Sequence, residues 1–359
     1  MADNDVHARP DSQVRLGVTL SYEQQFASAA KEIVEYERVG VDLVGVAEAY
    51  SFDAVSRLGY LAAVTSRMTL ASSILPIYTR TPTLLAMTAA GLDDVSGGRF
   101  ELGIGSSGGQ VIEGFHGIPF TAPLGRIREN VEICRSVWRR DVVEHHGKYY
   151  DLPLPKDKGR GLGKALKLIN HPVRSAIPIS IAALTPTAVA QAAEIANGWV
   201  PLFYYAEGAK AAWGAALEEG FAKRDPELGS LDVVAQQPLY IGDNVDQALA
   251  AYRNQVALYV GGMGAVGANF YNDLALAYGF QDEAATVQEL YLSGRKEEAA
   301  AALPDELVLN TSLIGTESHV RARVKALLDS GVTTISVTAL APTSESRVEQ
   351  LGALGAIVH

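Results

Sequence analysis

Three kinds of residue in this chain could do chemistry. The first is a carboxylate at the end of an apolar run. Glu48 closes DLVGVAEA, where a buried acid needs a partner. A salt bridge to Arg80 or Arg99 would supply one, and the polar edge of a ligand another. The second kind titrates near neutrality. His116, in EGFHGIPF, suits general acid–base work because an unperturbed imidazole changes charge near working pH. Tyr50 and Glu113 are the next proton donors, and a loop histidine bonded to backbone is the competing role for His116. The third kind is small residues after apolar runs. Gly105-Ser106-Ser107-Gly108 follows FELGI and would let a planar ring approach the backbone, with free N–H groups to bond it. A plain turn would use the same residues. Residues 103–108 also spell GxGxxG, but a lone match is weak and no strand ending in an acid follows at dinucleotide spacing. Thr185-Pro186 reads as an N-cap and first helical residue, whose unpaired N–H groups suit a phosphate. His145 and His146 fall in a hairpin, VVEHHGKYYDL, and no His, Asp or Glu cluster has the spacing of a metal site.

These residues sit where strands end. Near-continuous apolar runs recur at residues 15–20, 42–49, 68–75, 99–105, 178–183, 198–203, 231–242 and 332–339. Such runs read as parallel strands buried on both faces. Helix-period segments separate them, at 23–39, 54–65, 83–95, 123–139, 186–196, 207–223, 317–330 and 344–357. Eight strand–helix repeats predict a (β/α)8 barrel, with a doubly wound sheet as the alternative. The rhythm breaks at residues 141–177 and within the largely helical stretch that follows the seventh strand, which places insertions near 141–177 and 258–304 of one domain spanning 15–359. In either architecture ligands bind at the carboxyl ends of the strands.

Composition narrows the function classes. With 359 residues and 48% hydrophobic residues the chain can bury a large core. A net charge of −11 argues against nucleic acid and anionic membranes as main partners. No apolar run nears the ~20 residues of a membrane helix. Residues 1–14 read as a disordered polar leader without a signal-peptide core. The single cysteine, Cys134, excludes an internal disulfide framework, and the cytoplasm is the expected compartment.

Four motifs in order carry a family likeness, VAEAYSFDA, SSILPIYTRTP, GGRFELGIGSSGGQVIEGFHGIPF and IPISIAALTPTAVAQAAEIANGWVPLF, and the later LYVGGMGAVGANFYNDLA shares it. On them the chain resembles the bacterial luciferase-like superfamily, in particular its branch that uses the deazaflavin coenzyme F-420, from about Arg15 to the C-terminus. The resemblance implies a (β/α)8 barrel holding that coenzyme at its C-terminal face. It implies a non-proline cis peptide at Ser73-Ile74 behind the ring, where an ordinary strand end before Pro76 is the alternative. It places Gly105, Ser106, Ser107 and Gly108 beside the ring, Glu48 against the ring's pyrimidine side, and Ala182, Ala183, Leu184 and Thr185 around the phosphodiester. The basic KDKGRGLGK loop would steer the coenzyme's polyglutamate tail, unless it is simply solvated. LYVGGMGAVGANFYNDLALAYGF could roof the substrate pocket or be helix packing around a Gly-rich hinge, and the resemblance implies a homodimer through barrel helices. Relatives that oxidise sugar phosphates carry a histidine after the strand-two acid and a glutamate in the strand-four turn. This chain has Ala49 and Gly108 there, so that acid–base pair is missing. The expected activity is hydride transfer between the coenzyme and an unidentified small organic substrate, with His116, Glu48 and Tyr50 as catalytic candidates. Two alternatives are an FMN-dependent monooxygenase of the same barrel and a non-catalytic F-420-binding protein.

Overall fold

Strand β1 (Arg15–Leu20) is buried at every position, as a strand covered on both faces must be. It pairs in parallel with β2 (Leu43–Val46) on one side and β8 (Thr334–Ala339) on the other. Between them the chain adds β3 (Thr69–Ser72), β4 (Phe100–Gly105), β5 (Ile179–Ala182), β6 (Gly198–Val200) and β7 (Asp232–Ile241). Each strand is parallel to its neighbour, and the β7–β8 pairing closes the ring. The (β/α)8 barrel is therefore present, and the doubly wound alternative is set aside. The computed structural model describes residues 14–20, 22, 25–264, 267 and 269–359. All of the leader expected over residues 1–14 except Val14 lies outside them.

Every expected strand forms, mostly trimmed at its ends. β3 shows the reason most clearly. It stops at Ser72, a cis peptide joins Ser73 to Ile74, and a two-residue strand, Leu75–Pro76, then resumes pairing against Ile104 and Gly105 of β4. One expected strand is thus two short ones split by a bulge. A three-residue strand, Leu313–Gly315, pairs in parallel with Leu239–Ile241 at the end of β7 and was not expected from the sequence.

The helices cover the ring: α1 (Phe26–Arg38), α2 (Ala54–Val64), α3 (Pro82–Ser96), α4 (Pro123–Trp138), α5 (Pro186–Ile195) and α6 (Ala206–Phe221). Caps fix several starts. Thr81 accepts from Leu84 N–H with Pro82 in the first turn, and α3 ends at Gly97 with φ +68°. After β7 comes a helical excursion wider than expected, running through α7 (Asp246–Ala257), a π-helical turn (Leu258–Gly262), α8 (Phe270–Ala277), α9 (Gln281–Leu292), α10 (Lys296–Ala301) and α11 (Asp305–Asn310). Helices α12 (Glu317–Asp329) and α13 (Ser344–Val358) complete the circuit. The hairpin in 141–177 is present as His145–His146 paired with Asp151–Leu152.

The N-terminal end of the barrel is plugged by charge. Arg15 bonds Glu101 at 2.9 Å and Thr334 at 3.0 Å, and pairs with Asp232. Burial would lower the guanidinium pKa, but the two carboxylates outweigh it and raise it. The opposite end is left as the open mouth.

Candidate active site

The mouth is built where β2, β3, β4 and β5 end. Two glycines on β4 make room for the bulge after β3. A Cβ on Gly103 would lie 1.9 Å from the Ser72 carbonyl oxygen, so only glycine permits this approach. Gly103 N–H donates to Ser72 Oγ, and that hydroxyl donates to Gly103 O, both at 2.9 Å. A Cβ on Gly105 would meet Ile74 Cδ1 at 2.9 Å and Ala182 Cβ at 3.5 Å. Ile74 and Ala182 thus flank Gly105, so three expected binding segments come together here.

The bulge is held from beneath by a polar layer inside the barrel. Gln236 Nε2 donates to Ser73 Oγ at 2.8 Å and to Thr19 Oγ1 at 3.4 Å, and Thr19 and Ser336 hydroxyls lie 2.8 Å apart. These side chains, with Ser180, line an interior cavity below Ser73. The sequence reading passed over them. The available signal was one or two polar residues in each otherwise apolar run: VTL, AQQ, ISIA and TISV.

Glu48 is buried just past β2, and its two oxygens are already taken. Oε1 accepts from Arg80 Nη1 at 2.7 Å, and Oε2 accepts from Arg80 Nη2 at 2.9 Å and Ala54 N–H at 3.1 Å. Arg80 also reaches Asp53 at 3.1 Å. Burial would lower the Arg80 pKa, but Glu48 and then Asp53 outweigh it and raise it. Of the two arginines named from the sequence, Arg80 is the partner. Arg99 precedes β4 at the other end and donates to the carbonyls of Ala62, Thr65 and Met68. Glu48 therefore anchors Arg80 and the start of α2; it is not a free carboxylate.

Beyond β4, Gly105-Ser106-Ser107-Gly108 leads into a π-helical turn, Gln110–Phe115, and then His116. π-turns occur frequently at functional sites. The His116 ring packs edge-on against Phe115 at 5.1 Å, and its Nε2 is buried without a hydrogen-bond partner. Its backbone N–H, not its ring, bonds Val111 O. A Cβ at Gly108 would meet nothing within 4 Å, so its side-chain direction is open space. Glu113 is turned outward and accepts from Phe120 N–H. Tyr50 is 63% exposed, with its ring 6.1 Å from Phe115.

After β5, two indoles pin the loop. Trp199 Nε1 donates to Ala183 O at 2.9 Å, and Trp213 Nε1 donates to Leu184 O at 2.7 Å. Thr185 stands at the N-cap of α5 with Pro186 in the first turn, but its side chain makes no cap bond. The first N–H groups of α5 are thus free of side-chain caps. Three non-glycine residues at the mouth have positive φ: Ala49 (+46°), Ser107 (+59°) and Phe203 (+53°). Strained backbone of this kind clusters at ligand sites. Among the described residues no group of His, Cys, Asp and Glu could hold a metal ion, and no helix is long and apolar enough to cross a membrane.

Comparison with known proteins matches this geometry to one family. Residues 12–334 match the luciferase-like monooxygenases. A Mycobacterium tuberculosis protein provisionally named a coenzyme F-420-dependent oxidoreductase is 40% identical over 96% of this chain and 99% of its own length. The coenzyme F-420-dependent tetrahydromethanopterin reductase of Methanopyrus kandleri superposes with a TM-score of 0.78 over 95% of this chain and 98% of that one, at 24% identity. An F-420-dependent secondary alcohol dehydrogenase, solved with an F-420–acetone adduct, superposes at 0.72 over 97% and 99%, at 16% identity. A closed parallel barrel, a bulge split out of its third strand and a near full-length match agree: this chain belongs to the luciferase-like monooxygenase family.

Proposed function

We propose that this protein is a coenzyme F-420-dependent oxidoreductase that moves a hydride between the bound deazaflavin and a small organic substrate. The observation that carries the reading is the close approach at the mouth of Ile74 and Ala182 to Gly105, where a Cβ would run into the Ile74 side chain. A flat ring fits such a wall of small residues and free backbone. The names and coverage of the relatives favour F-420 over FMN. When bound, the deazaflavin accepts or donates the hydride at its central ring carbon.

The chain's own residues supply the rest. Ser73 and Ile74 back the ring, braced by Gln236. Gly105, Ser106, Ser107 and Gly108 offer N–H groups at its side. Ala182, Ala183, Leu184 and Thr185, held by the Trp199 and Trp213 indoles, offer the start of α5 to the phosphodiester. Glu48 acts through Arg80, setting the charge and shape of the mouth. His116, whose Nε2 is buried and unpartnered, holds or takes the substrate proton, with Tyr50 as the second donor. A second copy of the chain would cover exposed apolar side chains of α2 and α3, namely Tyr60, Val64, Leu84, Met87 and Val95.

Titration of the purified protein with oxidised coenzyme F-420 tests the reading. Quenching of the coenzyme's fluorescence at micromolar concentration or tighter is expected. Absence of quenching together with tight FMN binding would replace this reading with an FMN monooxygenase. Coenzyme binding with no redox turnover on any substrate would leave a carrier.

A further inference from the structure

Serines at the mouth spend their hydroxyls differently. Ser72 Oγ is used up on β4, where it donates to Gly103 O and accepts from Gly103 N–H. Ser106 Oγ donates to Ser107 O at 3.1 Å. Ser73 is half-buried, and its N–H donates to Val46 O at 2.8 Å. Its Oγ accepts from Gln236 Nε2 at 2.8 Å. Among the described residues no group accepts the Ser73 hydroxyl hydrogen.

Gln236 imposes this arrangement. An amide nitrogen donates and does not accept. Ser73 Oγ must therefore accept on that side, and its own hydrogen is left for another partner. The same Nε2 reaches Thr19 Oγ1 at 3.4 Å, and Thr19 is tied to Ser336 at 2.8 Å, so the amide is held from two sides. Gly45 on β2 provides the room. A Cβ there would lie 3.0 Å from Ser73 Cβ and 3.4 Å from Ser73 Oγ, so any side chain at that position would press on the serine. Residues of β1, β2, β7 and β8 thus converge on a hydroxyl that serves no carbonyl of the protein.

We infer that Gln236 is a positioning residue for the ring site: it keeps the Ser73 hydroxyl hydrogen available as a donor to the ring of the bound coenzyme. This rests on the oxidoreductase reading, in which Ser73 and Ile74 back the ring, and it gives that wall a polarity. Reduction adds electron density to the ring's nitrogen and oxygen atoms, so a donor bonds the reduced form more strongly than the oxidised form. Gln236 thereby raises the reduction potential of the bound coenzyme while standing behind Ser73.

Calorimetric titration with oxidised and, without oxygen, with reduced coenzyme F-420 tests the inference on wild type, Gln236→Met, Ser73→Ala and the double variant. Gln236→Met keeps the length of the side chain and removes the donor. Each single variant should weaken the reduced form about fivefold more than the oxidised form, the loss of one neutral hydrogen bond. Because Gln236 acts through Ser73, the double variant should bind both forms as Ser73→Ala does. Melting curves establish that the variants fold; should Gln236→Met not fold, Gln236→Asn, which draws the donor back by one methylene, takes its place. A ratio of reduced to oxidised affinity that stays unchanged in either single variant would overturn the inference, and so would a further loss in the double variant. Wild-type protein that binds neither form would instead overturn the oxidoreductase reading.

Discussion

At the scale of single residues, position along a strand decides what a charged group can reach. Glu48 was legible as a buried acid needing a cation, and both candidate arginines flank neighbouring strands. Sequence could not choose between them, because Arg80 follows β3 at the mouth whereas Arg99 precedes β4 at the far end. Glu37, on α1, passed unnoticed for the same reason: its partners lie thirty residues away. Its carboxylate accepts from Arg67 N–H and Met68 N–H at 2.7 Å, and from Ser66 N–H and hydroxyl at 3.1 Å. Burial opposes its ionisation, but these donors outweigh burial and hold its pKa below the ordinary value. A depressed folded pKa gives stability that is present above the unfolded value of about 4.3 and lost as pH falls through the folded one. Glu37→Gln should lower the unfolding free energy by ~2 kcal/mol at neutral pH. Urea melts should show the gap between variant and wild type closing in acid below about pH 4. A gap that does not change with pH would mean that the charge contributes nothing.

At the scale of elements, the apolar runs were enough to place all eight barrel strands and their covering helices. What escaped had no period to read. Leu313–Gly315 is three residues long, and the turns at Gln110–Phe115 and Leu258–Gly262 are single π-helical loops inside glycine-rich text. The candidate site was legible in its backbone parts, because small residues after a strand are visible in sequence. Its polar floor of Thr19, Gln236 and Ser336 was not, because each is one residue on a different strand. The close seam between β4 and the bulge yields a graded prediction. Gly105→Val pushes a side chain into Ile74, an overpacking cost of about 1–3 kcal/mol, and should weaken coenzyme binding about tenfold or more. Gly108→Ala enters open space and should leave binding within about twofold. Equal effects at the two sites, measured by coenzyme fluorescence, would remove Gly105 from the ring's wall.

At the scale of the whole molecule, an apolar stripe remains outside the barrel. Leu84, Met87 and Val95 recur on one face of α3, beside Tyr60 and Val64 of α2, and α2 and α3 pack together. Met87→Glu places a charge in the proposed contact between copies. Light scattering should show the wild type as a dimer and this variant as a monomer; a wild-type monomer at all concentrations would dismiss the contact. Cys134, buried on α4 with its thiol pushed up to about 12 by burial, should stay unreactive toward thiol reagents until the barrel opens. Trp138, Trp199 and Trp213 are all 1% exposed, and the chain has no other tryptophan. Two of the three donate to the carbonyls of Ala183 and Leu184 in the loop that leads into α5. The molecule thus carries its own optical gauge. Two of its three indoles are tethered to that one loop and the third, Trp138, to Ala86 on α3, so a change in tryptophan emission on adding a ligand should report occupancy there in unlabelled protein.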